Sequence, residues 1–249
     1  MKLGTTVRVP VSSQDGHPRG AIAPHSLDHV ALWVADRDTL AAFLCDHLGM
    51  HEIERTDKFT LVGADARRGK LTLFAEDGPR EPGPLARVVL RVSDLEVALA
   101  RLPADLAVDR GADGVARFEG SEGLGLGLVE VADPGVEYDI DHVALRVPDP
   151  ARTHSELTEL GFDADGERLR VADKRIVLET GDPGATERPL LNHLALLVDS
   201  AQGVHDEAER RGLEIDQFVD AANTLAVFVW GPDGIKLEYV EHKPSFSLV

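Results

Sequence analysis

One short segment recurs along the chain, and it constrains the fold more than any other feature. Leu27-Asp28-His29-Val30-Ala31-Leu32-Trp33-Val34 returns almost unchanged as Ile140-Asp141-His142-Val143-Ala144-Leu145-Arg146-Val147. It returns again as Leu191-Asn192-His193-Leu194-Ala195-Leu196-Leu197-Val198, and in degenerate form as Leu85-Ala86-Arg87-Val88-Val89-Leu90-Arg91-Val92. The anchors at 29, 87, 142 and 193 are 58, 55 and 51 residues apart. Internal repetition at a fixed period means that one supersecondary unit has been copied. Each copy is short, apolar and rich in β-branched residues, so it reads as a strand.

An acidic turn and a helical pattern follow each copy, with Asp36, Ser93, Asp149 and Ser200 as N-cap candidates and Gly49, Gly161 and Gly212 at helix ends. Short strands then close each unit, among them Lys70 to Phe74, Arg175 to Glu179, and a hairpin around Gly231-Pro232-Asp233-Gly234. The expected fold is α+β: four β-α-β-β-β units paired into two domains, each a half-open sheet cupping a cavity. A single unit of about 50 residues buries too little core to stand alone, so units must pair. With a boundary in Val131 to Asp139, the expected domains are 27–132 and 138–249, preceded by a polar extension over 1–26.

Composition removes several function classes. Lys plus Arg total 26 against 44 Asp plus Glu, a formal charge of −18. That balance opposes nucleic-acid and anionic-membrane binding, which both need a basic surface. The single cysteine, Cys45, excludes an internal disulfide and a cysteine-based zinc site. No apolar run reaches the ~20 residues of a membrane span, and the polar N-terminus lacks a signal-peptide core, so a cytoplasmic location is expected.

Strand alternation points to the chemistry. With Val143, Leu145 and Val147 under the helix, His142, Ala144 and Arg146 face the other way, as do His193, Ala195 and Leu197. Ile235-Lys236-Leu237-Glu238 aligns with Ile176-Val177-Leu178-Glu179. Within 138–249 this offers four ligands: His142, Glu179, His193 and Glu238. Imidazole with carboxylate suits one divalent ion such as iron, nickel, zinc, cobalt or manganese. In 27–132 the matching positions are His29, Phe74, Arg87 and Gly127, an incomplete set. Arg146 is a candidate for an anionic substrate group, and Phe228 and Trp230 are candidates for cavity walls. The expected partner is a small molecule; the sequence leaves homo-oligomerisation open.

These units and the His…Glu…His…Glu order resemble the vicinal oxygen chelate superfamily of glyoxalase I, epimerases, extradiol dioxygenases and bleomycin-resistance proteins. The resemblance implies a metal-dependent enzyme. Its leading form is glyoxalase- or epimerase-like lyase or isomerase chemistry, with the metal polarising a carbonyl or enediolate and Glu179 or Glu238 moving a proton. The alternative is an extradiol-type iron dioxygenase on a catecholic substrate, whose triad corresponds to His142, His193 and Glu238. Its acid–base residues find no counterpart: Glu179 and Phe228 stand at two of those positions. A third reading is a non-catalytic binding protein.

Overall fold

The computed structural model describes residues 22–78, 80–184 and 188–246. Four β-α-β-β-β units follow one another. The first is β1 (Ser26–Val34), α1 (Arg37–His47), β2 (His51–Arg55), β3 (Phe59–Gly63) and β4 (Lys70–Ala75). The second is β5 (Leu85–Val92), α2 (Leu95–Leu99), β6 (Asp109–Arg110), β7 (Val115–Glu119) and β8 (Gly125–Glu130). The third is β9 (Ile140–Val147), α3 (Pro150–Glu159), β10 (Asp163–Asp165), β11 (Arg168–Val171) and β12 (Lys174–Thr180). The fourth is β13 (Leu191–Leu197), α4 (Ala201–Arg211), β14 (Ile215–Asp220), β15 (Thr224–Trp230) and β16 (Lys236–His242).

The strands form two open eight-stranded sheets, ordered β14-β15-β16-β13-β1-β4-β3-β2 and β10-β11-β12-β9-β5-β8-β7-β6. The fold is therefore α+β with paired units, as the repeat predicts. The partners differ from expectation. Unit one pairs with unit four through antiparallel β1 and β13, and unit two with unit three through antiparallel β5 and β9. The sheets thus do not follow a division into 27–132 and 138–249.

The chain path explains this exchange. The chain builds unit one in the first sheet, crosses once, builds units two and three in the second sheet, and returns for unit four. The two crossings meet at Glu81: its N–H donates to Arg188 O at 3.1 Å, and Leu190 N–H donates to Glu81 O at 2.6 Å. Sequence-adjacent units meet through helices instead. The Glu122 carboxylate, in the turn before β8, accepts from Ala35 and Asp36 N–H ahead of α1. Asp233, in the equivalent turn before β16, receives Arg152 and Thr153 of α3.

Local chemistry sets the element ends. Asp36, Asp94, Asp149 and Ser200 cap α1 to α4, each accepting backbone N–H groups of the first turn. The second cap is Asp94, one residue beyond the expected Ser93. Pro150 opens α3, where a missing N–H costs nothing, and Gly212 ends α4 at φ 68°. In β1, Val30, Leu32 and Val34 are fully buried beneath the helices, while His29 and Trp33 alternate onto the other face. One apolar core draws on all four units. Ile22 joins it, so the end of the expected 1–26 extension is packed; residues 1–21 lie outside the described residues.

Tyr239 on β16 is fully buried and donates its hydroxyl to Leu160 O at 2.7 Å, tying the first sheet to the end of α3. Burial pushes its phenol far up, so it remains a donor. Tyr239→Phe leaves a buried carbonyl without this partner and should lower unfolding free energy by about 1–3 kcal/mol in urea titration.

Candidate metal centre

The first sheet brings together three side chains that could hold a metal ion: His29, His193 and Glu238. In the central ladder His29 lies opposite Ala195, and Ala31 opposite His193, so the two histidines are diagonal neighbours across β1 and β13. Glu238 on β16 pairs with Ala195. The resulting triangle is small: His29 Nε2 to His193 Nε2 is 3.2 Å, His193 Nε2 to Glu238 Oε2 2.9 Å, and His29 Nε2 to Glu238 Oε2 3.4 Å. An ion about 2.1 Å from three ligands at right angles separates them by about 3.0 Å, and a tetrahedral ion by about 3.4 Å. The triangle fits this range.

The hydrogen bonds around the triangle set its electronics. His29 Nδ1 lies 2.8 Å from Asp28 Oδ2, and His193 Nδ1 3.1 Å from Asn192 Oδ1. A carboxylate and an amide oxygen only accept, so each Nδ1 carries the proton and each Nε2 presents a lone pair to the triangle. Two lone pairs and a carboxylate oxygen at these distances repel unless a cation or a proton sits among them. Burial holds the His193 pKa below its ordinary value, which favours the neutral, ligating imidazole.

Asp28 is the hub behind the triangle. Lys70 Nζ donates to both of its oxygens at 2.9 Å, His29 to Oδ2, and His242 Nε2 lies 3.3 Å from Oδ1. Those four contacts fill the acceptor capacity of a carboxylate. Burial pushes the Asp28 carboxyl up, yet the hydrogen bonds and the Lys70 charge hold it well below its ordinary range. A register shift between Leu27 and His29 in the β1–β13 ladder accompanies the close approach of these sequence neighbours.

The triangle opens into a cavity of about 370 Å³. Phe59, Phe74, Phe228 and Phe246 are among its walls, with Lys70, Thr72, Asn223, Thr224 and His242 as polar groups. Phe228 meets the His193 ring edge-on at 5.1 Å, and Phe246 stacks on His242 at 3.6 Å.

The expected four-ligand set does not assemble. His193 and Glu238 meet His29, whereas His142 and Glu179 lie in the second sheet. There the Glu179 carboxylate is gripped by both terminal nitrogens of Arg87, at 2.6 to 3.2 Å, and is committed as an ion pair. Its counterpart in the first sheet is Phe74: Phe74 pairs with Trp33 as Glu179 pairs with Arg146. The fourth position therefore holds a ring that cannot ligate. Phe228 lines the cavity. Arg146 sits beside Glu179 in the second sheet, and Trp230 lies under the Lys236 ammonium at 4.5 Å rather than in the cavity wall.

Sequence reasoning passed over His29, Asp28, Lys70 and His242. Period-two alternation marks His242, since Glu238, Val240 and His242 share one face of β16 and all line the cavity.

Two open sheets of paired units, one of them cupping a His-His-Glu cavity, define a class of fold and site. Residues 26–112 match the model of the Glyoxalase/Bleomycin resistance protein/Dioxygenase superfamily. Among solved structures it is similar to a putative dioxygenase from Bacillus subtilis, at 16% identity and TM-score 0.72 over 89% of this chain and 86% of that one. Glyoxalase I from Zea mays is similar at 19% identity and TM-score 0.67, over 86% and 92%. No curated protein matches the chain in sequence. Among the described residues no helix is long and apolar enough to cross a membrane.

Two outcomes are expected. Metal analysis of protein loaded with iron(II) or cobalt(II) should give one ion per chain, lost in His29→Ala, His193→Ala and Glu238→Ala. His142→Ala and Glu179→Ala should keep it, and Asp28→Ala should weaken binding about 10–100-fold. In the second sheet, Asp141 accepts from His142 Nδ1 at 2.6 Å and from Arg175. Burial works to raise its pKa, but these bonds hold it below the ordinary value. A depressed carboxyl adds stability above its unfolded pKa, about 3.9, and loses it as pH falls through the folded value. Asp141→Asn should therefore cost about 1–3 kcal/mol at pH 7, with the gap to wild type closing below about pH 4.

Proposed function

We propose that the chain is a metal-dependent oxygenase of the extradiol type, acting on a small aromatic vicinal diol, with iron(II) held by His29, His193 and Glu238. The observation that carries this reading is the ligand count. Two imidazoles and one carboxylate, with Phe74 in the fourth position, form the 2-His-1-carboxylate set typical of non-haem iron oxygenases. The His, Glu, His, Glu set that favoured lyase or isomerase chemistry needs Glu179, which is bound to Arg87.

When bound, iron(II) supplies a Lewis acid with open positions for both substrate oxygens and the redox capacity to use dioxygen. Ring cleavage by dioxygen needs no further reductant, because both oxygen atoms end in the opened product. The chain's own groups do the rest. The phenylalanine walls suit a flat ring and keep water away. His242 takes the diol proton: Asp28 fixes its Nε2 as the protonated side, which leaves Nδ1 as the base, and Phe246 holds the ring plane. Lys70 keeps Asp28 ionised, so the same carboxylate orients both a metal ligand and the proton acceptor.

An oxygen electrode tests this. Iron(II)-loaded protein should consume dioxygen stoichiometrically with at least one member of a catechol panel, giving a coloured ring-opened product. His242→Ala should keep its iron and lose about 10²–10⁴-fold in kcat. Proton exchange on α-hydroxycarbonyl compounds without oxygen uptake would instead favour the lyase or isomerase reading.

A further inference from the structure

The second sheet repeats the metal centre position for position. His142 pairs with Arg175 as His29 pairs with Lys70, and Asp141 joins the two as Asp28 does in the first sheet. Across the central ladder, Arg87 lies opposite Ala144, and Val89 opposite His142, which puts Arg87 where His193 stands. Gly127 pairs with Val89 as Glu238 pairs with Ala195. Glu179 occupies the place of Phe74. So the second sheet keeps one oriented imidazole, holds a carboxylate where the first has a ring, and lacks a side chain at 127. A Cβ there would lie 3.0 Å from Val115 and 3.1 Å from Val89.

We propose that this is a divalent-metal site closed by an internal cation: the Arg87 guanidinium balances the Glu179 charge that a metal ion would otherwise balance, and Arg87→His opens it. The ion pair has the marks of such a substitute. Both terminal nitrogens reach both carboxylate oxygens, and the pair spans β9 to join β5 of unit two to β12 of unit three. His142 is poised as a ligand is, with Nδ1 on a carboxylate that a basic residue holds ionised. Position 87 is the one that decides. A histidine there, at the register of His193, completes a second 2-His-1-carboxylate set with His142 and Glu179. The proposal concerns metal capacity and stands apart from the oxygenase reading.

Cobalt(II) titration, followed by visible absorption and by metal analysis of the dialysed protein, tests it. Wild type should bind one ion per chain and Arg87→His two. Arg87→His with Glu179→Gln, or with His142→Ala, should return to one. Arg87→His with His193→Ala should also hold one, now in the second sheet. Wild type without metal and Arg87→His with one ion would defeat the first-sheet site yet support this one. A folded Arg87→His protein that gains no ion overturns the proposal, as does a wild type that binds two with the second lost in Glu179→Gln. If Arg87→His unfolds, Arg87→Ala with millimolar imidazole carries the same test. A second ion appearing with imidazole supports the proposal, and none overturns it.

Discussion

The antiparallel ladder between β1 and β13 is the interaction on which the site depends. Its register sets His29 and His193 two positions apart across the strand pair, so that two imidazole nitrogens separated by 164 residues in sequence stand 3.2 Å apart. The parallel partners β4 and β16 then flank that ladder, delivering Lys70 and Phe74 from one side and Glu238 and His242 from the other. A one-residue slip would turn every one of these side chains to the wrong face. Buried apolar residues on the opposite face, Val30, Leu32, Leu194 and Leu196 among them, resist such a slip because each would lose its place in the core.

The polar groups of the cavity form a single electrostatic unit. Asp28 is buried, and its charge is tolerable only because Lys70 and two imidazoles surround it. In return it fixes the tautomer of His29 and the donor atom of His242. The second sheet repeats this device with Asp141, His142 and Arg175, and there Glu179 is balanced by an arginine. The difference between the two sheets thus comes down to which side chains occupy four equivalent positions. His29, Phe74, His193 and Glu238 make one centre; His142, Glu179, Arg87 and Gly127 make the other.

Much of this was legible in the sequence. The recurrent strand showed four units, the capping residues placed the helices, and the repeat singled out His193 and Glu238 as candidate ligands. The partner of each unit was not legible. All four first strands are apolar and able to pair, so sequence pattern alone does not choose among them. The choice is made by tertiary features: the backbone pairing of Glu81 with Arg188 and Leu190, and the Glu122 and Asp233 turns seated against α1 and α3. Assuming that neighbours pair joined His142 and Glu179 to His193 and Glu238 and dismissed His29. The observed pairing instead places His29 beside His193 and Glu238 and leaves His142 and Glu179 in the other sheet.

The most direct test is anomalous diffraction from crystals grown with cobalt(II) or, without oxygen, with iron(II). Scattering at the metal edge should give one peak per chain, bounded by His29 Nε2, His193 Nε2 and Glu238 Oε2. A peak between His142 and Glu179, or none at the His29 triangle in crystals that contain the metal, would contradict the account.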